Sequence, residues 1–405
     1  MPEAIHRDPR DLSGMASAIE RMAEEGYTVV LDEFQYFHRK AISEFTSHLQ
    51  AVADRLSAKA SEVPGGLIVL GSVYTEMKAL LDDKTAPLYN RVTDTLDVDH
   101  LDPRTVAEIL ATHGNSTPEH LLFMWNLFEG VPKFYRDCFE QDVIAGERSD
   151  VIRRMFFGSS SPLRHEAENW FLSEFRGEYD VALKYVAAHP GCTYKDIRSE
   201  ASRFNVAPNR FSVYLTTLET RYRLIEKRAP IFAGARSRKS RYYIRDNFLR
   251  SWLNAVAMYA SAQEFRPVDK LVNSVDKALP QGEGYALEQL AGLLYESRSK
   301  AGVGDFELTR KINGYWNSKD TEIDLVAVND ENERIRFVTC RRSPSRLAAA
   351  VTDLPDHVER FLKQKPRYAG WDTDLAAVST TLNRHQRENI AVLGAIPQDL
   401  TDLLH

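Results

Sequence analysis

Two short, largely apolar runs, at positions 28–31 and 67–70, restrict the possible folds of this chain more than any other feature. Each run has the composition of a strand that is buried on both faces. A helical pattern over 40–59 separates the runs, and a Pro-Gly-Gly break at 64–66 precedes the second one. Strand, helix and strand in this order predict a parallel α/β sheet, in which residues 94–98 are a candidate third strand.

The composition is that of a globular protein. The chain has 405 residues, 43% of them hydrophobic and 27% charged, which is enough for two or three domains with cores of their own. No apolar run approaches the roughly 18 residues of a membrane span, and the first residues lack a signal or transit pattern, so we expect a cytoplasmic protein. Cys138, Cys192 and Cys340 lie far apart, which predicts reduced thiols and argues against a disulfide framework or a thiolate zinc site.

The charge is unevenly distributed along the chain. The formal net charge of -6 argues against a protein coated in nucleic acid. Between positions 221 and 250, however, ten Lys and Arg residues accompany only two acidic residues, a local balance of +8. This segment is the candidate for contact with a polyanion.

The predicted secondary structure becomes mainly helical after residue 100 and returns to mixed helices and strands after residue 280. Residues 103–140 have the spacing of short helices with a break at 130–132, and residues 163–262 are helical except for a hairpin pattern at 228–244. Helices followed by a basic hairpin predict a winged helix. A second α/β unit follows residue 280, with a helix at 283–298, strands at 322–328 and 334–340, a helix at 345–363 and a strand at 375–379.

The first apolar run ends in two carboxylates, Asp32 and Glu33. In a Walker B strand the first such carboxylate lies in the Mg²⁺ shell and the second polarises the attacking water. Strands that end in an acidic pair are common, so a solvated strand end is the alternative interpretation.

Three further motifs follow the Asp32-Glu33 motif. The chain contains VVLDEFQYF, LIVLGSVYTEMKALL, PLYNR and EGVPKFY, in that order. This order resembles the archaeal-type AAA ATPase family, which is related to the STAND NTPases. The resemblance implies ATP and Mg²⁺ as cofactors, with Asp32 on the metal, Glu33 orienting water, Ser72 as the sensor polar group and Arg91 near the phosphates. Asn90 replaces the glycine that is usual in the family.

A phosphate-binding loop of the form G-x-x-x-x-G-K-[ST] is missing. Its backbone N–H groups and lysine hold the β- and γ-phosphates, yet no glycine in this chain is followed by lysine, and only 27 residues precede the first strand. We therefore expect either an N-terminally truncated member of the family or one that has lost nucleotide binding, with little ATP hydrolysis of its own. We also expect an exposed sheet edge, which a second copy or a partner would cover.

Residues 194–222 have helix-turn-helix spacing. Residues at the start of the second helix would contact bases, and the hairpin carries donors for phosphates. The candidate DNA-binding residues are Asn209, Arg210, Arg236, Arg238, Lys239 and Arg241. The expected partner is double-stranded DNA; the alternative is that the segment packs against another domain or a partner protein.

The second α/β unit resembles restriction-endonuclease-like nucleases, and the same ATPase family carries such a C-terminal domain. Glu288 on a helix and Asp324 on a strand match the family's metal-binding carboxylates. Where the family has Glu-Cys-Lys on the next strand, this chain has Thr339-Cys340-Arg341. A hydroxyl is a poor Mg²⁺ ligand, and Arg341 cannot accept a proton as the family's catalytic lysine does, so we expect impaired cleavage. The alternative is an acidic strand pair without function.

Together these patterns predict an α/β protein with a partial P-loop NTPase domain, a helical lid and winged helix, and a C-terminal restriction-endonuclease-like domain. The predicted bounds are 1–101, 102–160, 161–262 and 263–405. The leading hypothesis is a DNA-associated, degenerate ATPase-family protein whose status as an enzyme stays open. The alternatives are an ATP-dependent nuclease or remodelling enzyme whose longer form carries the missing loop, and a protein-interaction scaffold.

Overall fold

The computed structural model describes residues 10–71, 74–164, 178–203, 208–220, 222–234, 239–317 and 320–405. These form two compact units, Met1–Asp99 and His100–His405. Each unit combines helices with a sheet, so the protein is of the mixed α/β class. Within these ranges, no helix has the length and apolar character to cross a membrane.

The first unit contains two parallel strands and three helices. Its elements are α1 (Leu12–Glu24), β1 (Thr28–Leu31), α2 (Glu44–Ala58), β2 (Gly66–Val69) and α3 (Tyr74–Leu81). Helix α1 begins where the Asp11 carboxylate accepts a hydrogen bond from the Gly14 backbone N–H at 2.6 Å, which caps the free donors of the first turn. Strands β1 and β2 pair in parallel, from Thr28 opposite Gly66 to Leu31 opposite Val69. The predicted strand–helix–strand order is confirmed.

Two expectations for this unit are wrong. Residues 94–98 form no strand, because their side chains find no apolar cover: Leu96 is 87% and Val98 is 88% exposed. The strands are also covered on one face only. Val29 and Leu31 pack with residues of α1 and α2, whereas Val30, on the opposite face, is 52% exposed.

Short helices begin the second unit, and three of them start with proline. They are α4 (Pro103–Thr112), α5 (Pro118–Phe128), α6 (Pro132–Glu140) and α7 (Arg148–Ile152), the last continued by a π-helical turn, Arg153–Phe157. Proline suits the first helical position because its fixed φ matches the helix and its missing N–H would be unpaired there. At the predicted break, a side chain on Gly130 would lie 2.0 Å from the Leu101 carbonyl oxygen, so only glycine fits.

Three helices and a hairpin follow. They are α8 (Glu178–Ala188), α9 (Tyr194–Arg203), α10 (Pro208–Thr220), β3 (Ile225–Arg228) and β4 (Arg241–Ile244). The strands pair antiparallel, with Ile225 opposite Ile244 and Arg228 opposite Arg241. The hairpin is therefore confirmed, although it begins three residues before the predicted position. Its buried residues pack with those of the three helices in one core.

A mixed five-stranded sheet with helices forms the rest of the chain. Before it come α11 (Asn247–Ser251), a π-helical turn (Trp252–Val256), α12 (Ala257–Ala260), α13 (Val268–Ala278) and α14 (Pro280–Lys300). The sheet and its helices are β5 (Asn313–Trp316), β6 (Glu322–Asn329), β7 (Arg334–Cys340), α15 (Pro344–Gln364), β8 (Asp372–Ser379), α16 (Arg384–Val392), β9 (Ile396–Asp399) and α17 (Leu400–Leu404).

The strand order of this sheet is β5-β6-β7-β8-β9. Strands β5 to β7 pair antiparallel, while β7, β8 and β9 pair in parallel. The carboxyl ends of β7 and β8 therefore lie at the same edge of the sheet, and α15 starts from that edge. Strands β5 and β9 were not predicted, because each is only four residues long and has no alternating pattern.

Candidate functional site

The predicted nuclease-like residues come together where α14, β6 and β7 meet. Asp324 lies in β6, next to the Leu325–Val338 pair, so it faces the end of β7. Thr339 and Arg341 lie at that end, and Glu288 lies on α14, which packs against β6 and β7. We refer to Glu288, Asp324, Thr339 and Arg341 as the Asp324 centre.

One carboxylate oxygen of the Asp324 centre accepts three hydrogen bonds. Asp324 Oδ2 lies 2.7 Å from the Cys340 backbone N–H, 3.0 Å from Thr339 Oγ1 and 2.5 Å from Arg341 Nη1. The Asp324 side chain is mostly buried, so its charge is compensated almost entirely by these donors. The positive charge beside the Asp324 carboxylate is therefore the guanidinium of Arg341.

Glu288 contributes a carboxyl group of unusual acidity. Burial, and then the negative charge of Asp324, raise the pKa of Glu288 from 4.5 to about 8, and the positive charge of Arg228 opposes this rise. At neutral pH the side chain therefore carries a proton.

The residues of this centre do not fit Mg²⁺. The ion needs several hard oxygen ligands, and the resemblance places it between Glu288 and Asp324. Here those positions offer one buried carboxyl, a carboxylate already paired with a guanidinium, and a hydroxyl. Across the part of the chain that the structure describes, no group of three or more His, Cys, Asp or Glu side chains is arranged to hold a metal ion.

A second ion pair lies on the same strand. Both Glu322 oxygens accept hydrogen bonds from Arg241 of β4, at 2.7 and 3.1 Å, and this hydrogen bonding lowers the pKa of Glu322. The Arg241 guanidinium also lies 4.7 Å from the centre of the Trp316 ring. The backbone N–H of Glu322 donates to His357 Nδ1 at 3.1 Å. Arg241, predicted to contact DNA, is thus engaged with the C-terminal sheet.

The other predicted DNA-binding residues are placed only in part. Asn209 and Arg210 lie in the first turn of α10, but their side chains are not among the described ones. Arg236 and Arg238 lie outside the described residues. The carbonyl oxygen of Lys239 accepts a hydrogen bond from the Trp316 indole N–H at 2.7 Å.

The predicted nucleotide-site residues of the first unit have local partners. The Asp32 carboxylate accepts a hydrogen bond from the Glu33 N–H at 2.8 Å, and Glu33 has a left-handed backbone conformation with φ of 52°. The Arg91 guanidinium pairs with both oxygens of Asp54 on α2, at 2.8 and 3.1 Å. Ser72 lies outside the described residues.

A large cleft that the sequence did not predict adjoins the Asp324 centre. It has a volume of about 1200 Å³ and lies between the α5–α7 region and the end of β7, and we call it the α15 cleft. Glu283 lies in its wall and is 1% exposed; it accepts a hydrogen bond from Arg148 Nη1 at 2.6 Å and forms an ion pair with Arg342 Nε at 2.7 Å. Arg341, Arg342 and Arg346 also line it. The run Arg341-Arg342-Ser-Pro-Ser-Arg346, directly after a predicted strand, is the signal that would have located this edge.

Comparison with known proteins places the similarity over this same region. Residues 252–349 match a family, DUF234, described as archaeal and bacterial proteins of unknown function. An uncharacterized protein of Methanocaldococcus jannaschii is 24% identical over 272 residues, which cover 67% of this chain and 58% of that relative. The match thus spans less than two thirds of the relative's length. No solved structure matches the chain.

The matched segment contains Glu288, Asp324, Arg341 and Arg346. It therefore includes the Asp324 centre and the start of α15. Over residues 252–349 this chain is similar to that family of unknown function.

Proposed function

We propose that this protein binds DNA without cutting it, through the α8–α10 and hairpin segment together with the C-terminal sheet. The observation that carries the proposal is the contact between Arg341 Nη1 and Asp324 Oδ2 at 2.5 Å. A guanidinium is a permanent cation that cannot accept a proton or activate a water molecule. It would stabilise the carboxylate that a nuclease uses for metal binding, and so preserve the shape of the module while removing its chemistry.

The order of elements supports the DNA-binding part of the proposal. Helices α8 to α10 followed by the β3–β4 hairpin have the order of a winged helix, and the basic segment 221–250 runs through its hairpin. The side chains at the start of α10, Asn209 and Arg210, would then approach the major groove. Arg236, Arg238 and Lys239 would contact phosphates, which supply most of the affinity and make it depend on salt.

Contacts between the hairpin and β5 support a single binding surface. The Ile231 N–H donates to the Gly314 carbonyl at 2.9 Å, and the Asn313 side-chain amide donates to the Ala229 carbonyl at 3.0 Å. With the Arg241–Glu322 pair, they fix the base of the hairpin on the sheet. DNA held by the hairpin would therefore pass the C-terminal sheet.

A second candidate function concerns the first unit. Val30, Ile68 and Leu70 are about half exposed on the uncovered side of the strand pair. Sheets of parallel strands are normally covered on both faces. This observation favours a further polypeptide segment, from a second copy or a partner, that covers the strands. In an intact ATPase of the resembled family, that segment would supply the phosphate-binding loop, and Asp32, Glu33, Ser72 and Arg91 would then act with ATP and Mg²⁺.

Binding of the full chain to a fluorescent DNA duplex, titrated with salt, tests the main proposal. We expect the logarithm of the affinity to fall linearly with the logarithm of salt concentration. The Arg236→Ala/Arg238→Ala double variant should weaken binding and lower the slope by about one for each lost contact. Arg384→Ala, on the exposed face of α16, is the matched control and should bind as the unaltered protein does. An unchanged slope in the double variant would contradict the assignment of the hairpin.

A Mg²⁺-dependent cleavage assay tests the absence of cutting. We expect no cleavage by the unaltered protein. The Thr339→Glu/Arg341→Lys variant restores the Glu-x-Lys pattern of the nucleases, and we expect it to gain a Mg²⁺-dependent increase in Tm. Robust cutting by the unaltered chain that Asp324→Ala abolishes would overturn the proposal.

A further inference from the structure

The α15 cleft lies where α/β sheets commonly bind ligands. Strands β7 and β8 are parallel neighbours, with Cys340 opposite Val378, so the loops that follow them lie side by side. Ligands of open α/β sheets bind in the crevice outside the carboxyl ends of such strands. Both loops line the cleft, the first through Arg342 and Ser343 and the second through Thr380.

The first of these loops leads into the N-terminus of a long helix. Helix α15 has 21 residues, with Ser343 as its N-cap and Pro344 at its first position. The Ser343 side chain makes no capping hydrogen bond to the backbone; its hydroxyl pairs instead with the Ser345 hydroxyl at 2.9 Å. The first backbone N–H groups are thus not capped by a side chain, and with the helix dipole they favour an anion.

An independent observation at the neighbouring loop also points to a ligand. Thr380 is only 5% exposed, and in the described ranges its Oγ1 atom has no hydrogen-bond partner. Buried hydroxyls in folded proteins almost always have a partner. The preceding residue, Ser379, donates from its hydroxyl to the carbonyl oxygens of Arg341 and Arg342, which fixes Thr380 beside the arginine-rich loop.

Near the start of α15, the arginine side chains outnumber the carboxylates that pair with them. Arg346, in the first turn of α15, is exposed and makes no ion pair or hydrogen bond with any residue in the part of the chain that the structure describes. Arg342 pairs with Glu283, and Arg148 pairs with both Glu283 and Asp276, while the Nη2 atom of Arg148 is buried without a partner among the described atoms. The residues that form this edge therefore offer donors and positive charge for an additional anion.

We propose that the α15 cleft binds a single phosphate group at the N-terminus of α15, held by Arg346, by the first N–H groups of the helix and by the Thr380 hydroxyl. Glu119 and Glu147 also line the cleft, on its helical side. They would repel a strand that passed several phosphates through it, which favours one terminal phosphate. The phosphate can come from a free nucleotide or from the phosphorylated end of a nucleic acid strand. This site needs neither a metal ion nor the hairpin, so it goes beyond the proposed function.

Calorimetric titration of the full chain at low salt tests the proposal with four probes. They are inorganic phosphate, ATP, a short single-stranded oligonucleotide with a 5′-phosphate, and the same oligonucleotide with a 5′-hydroxyl. We expect binding of the phosphate-bearing probes and at least tenfold weaker binding of the 5′-hydroxyl strand. Competition between ATP and the 5′-phosphorylated strand distinguishes a free nucleotide from a strand end as the source of the phosphate. The probe that binds more tightly identifies which of these two ligand classes the site prefers.

Two variants and a control complete the experiment. We expect Arg346→Gln and Thr380→Val each to lower the affinity for the phosphate-bearing probes about tenfold, because each variant removes one charged or buried hydrogen bond. Thr380→Val should not lower Tm, since it removes a hydroxyl that has no partner in the unliganded fold. Arg384→Gln on α16 should bind all probes as the unaltered chain does.

The proposal fails if no phosphate-bearing probe binds at millimolar concentration, or if both variants bind as tightly as the unaltered chain. Retained duplex binding alongside either result would remove the phosphate site alone and leave the proposed function in place. Unchanged duplex binding in the hairpin variant, together with binding of the phosphate probes, would have the converse meaning: it would remove the hairpin assignment and leave the phosphate site in place.

Discussion

Replacing Glu288 by glutamine changes the pH dependence of stability in a direction that the structure determines. The pKa of Glu288 is raised from 4.5 to about 8, chiefly by burial and then by the charge of Asp324. The folded chain thus keeps this proton while the unfolded chain has already lost it. The stability contributed by the protonated carboxyl is complete below about pH 4.5 and is lost as the pH rises to 8. Glutamine keeps the shape without ionising.

The magnitude follows from the same change in pKa. At about 1.4 kcal/mol for each pKa unit, a rise from 4.5 to about 8 corresponds to about 5 kcal/mol. Glu288 lines the α15 cleft and keeps part of its surface exposed, so solvent reduces this value. We expect the Glu288→Gln variant to match the unaltered protein near pH 5 and to be more stable by about 2–3 kcal/mol at pH 9.

Urea unfolding at a series of pH values from 5 to 9 measures this difference. The free energy of unfolding of the unaltered protein should fall relative to that of the variant between these limits. Glu388→Gln, which removes an exposed carboxylate of α16, serves as the control and should run parallel to the unaltered protein. Parallel curves for Glu288→Gln as well would refute the inference that Glu288 is protonated in the fold.

Two further predictions concern buried charges. Glu283→Gln should lower the free energy of unfolding by about 1–3 kcal/mol, because it leaves Arg342 without its carboxylate and Arg148 with Asp276 alone; an unchanged free energy of unfolding in denaturant titrations would contradict this. Burial raises the pKa of Asp246 to about 6, so stability that this residue contributes at low pH is lost between about pH 4 and 6. Asp246→Asn should abolish that loss, about 1–2 kcal/mol, in unfolding curves recorded across this range.

The structure also explains how the Asp324 centre keeps its shape. With Thr339 and Arg341 in place of a carboxylate and a lysine, the Asp324 oxygen finds three donors within 3.0 Å. A metal ion would serve the same electrostatic purpose in a nuclease, since both neutralise a largely buried carboxylate. The Arg341 guanidinium thus stabilises the packing of β6 on β7.

The elements that the sequence predicted best are those with strong local patterns. Strand β7, at Arg334–Cys340, has the predicted bounds, and α15 differs by one residue at each end. Strands β5 and β9 were missed, and residues 94–98 were wrongly assigned as a strand. Short strands form only when a neighbouring strand supplies hydrogen bonds, and that neighbour is not visible in a local pattern.

The sequence alone determined the order of the helices and most strands, and it singled out Asp324, Glu288 and Arg341 as residues of one candidate site. Periodicity, turn residues and residue types act over a few positions, so they can be read along the chain. Only the tertiary structure decided that Arg241 pairs with Glu322 across 81 residues, and that Thr380 is buried without a partner beside the start of α15. Such pairings depend on which distant segments meet and on how much water they exclude, and no local pattern contains that information.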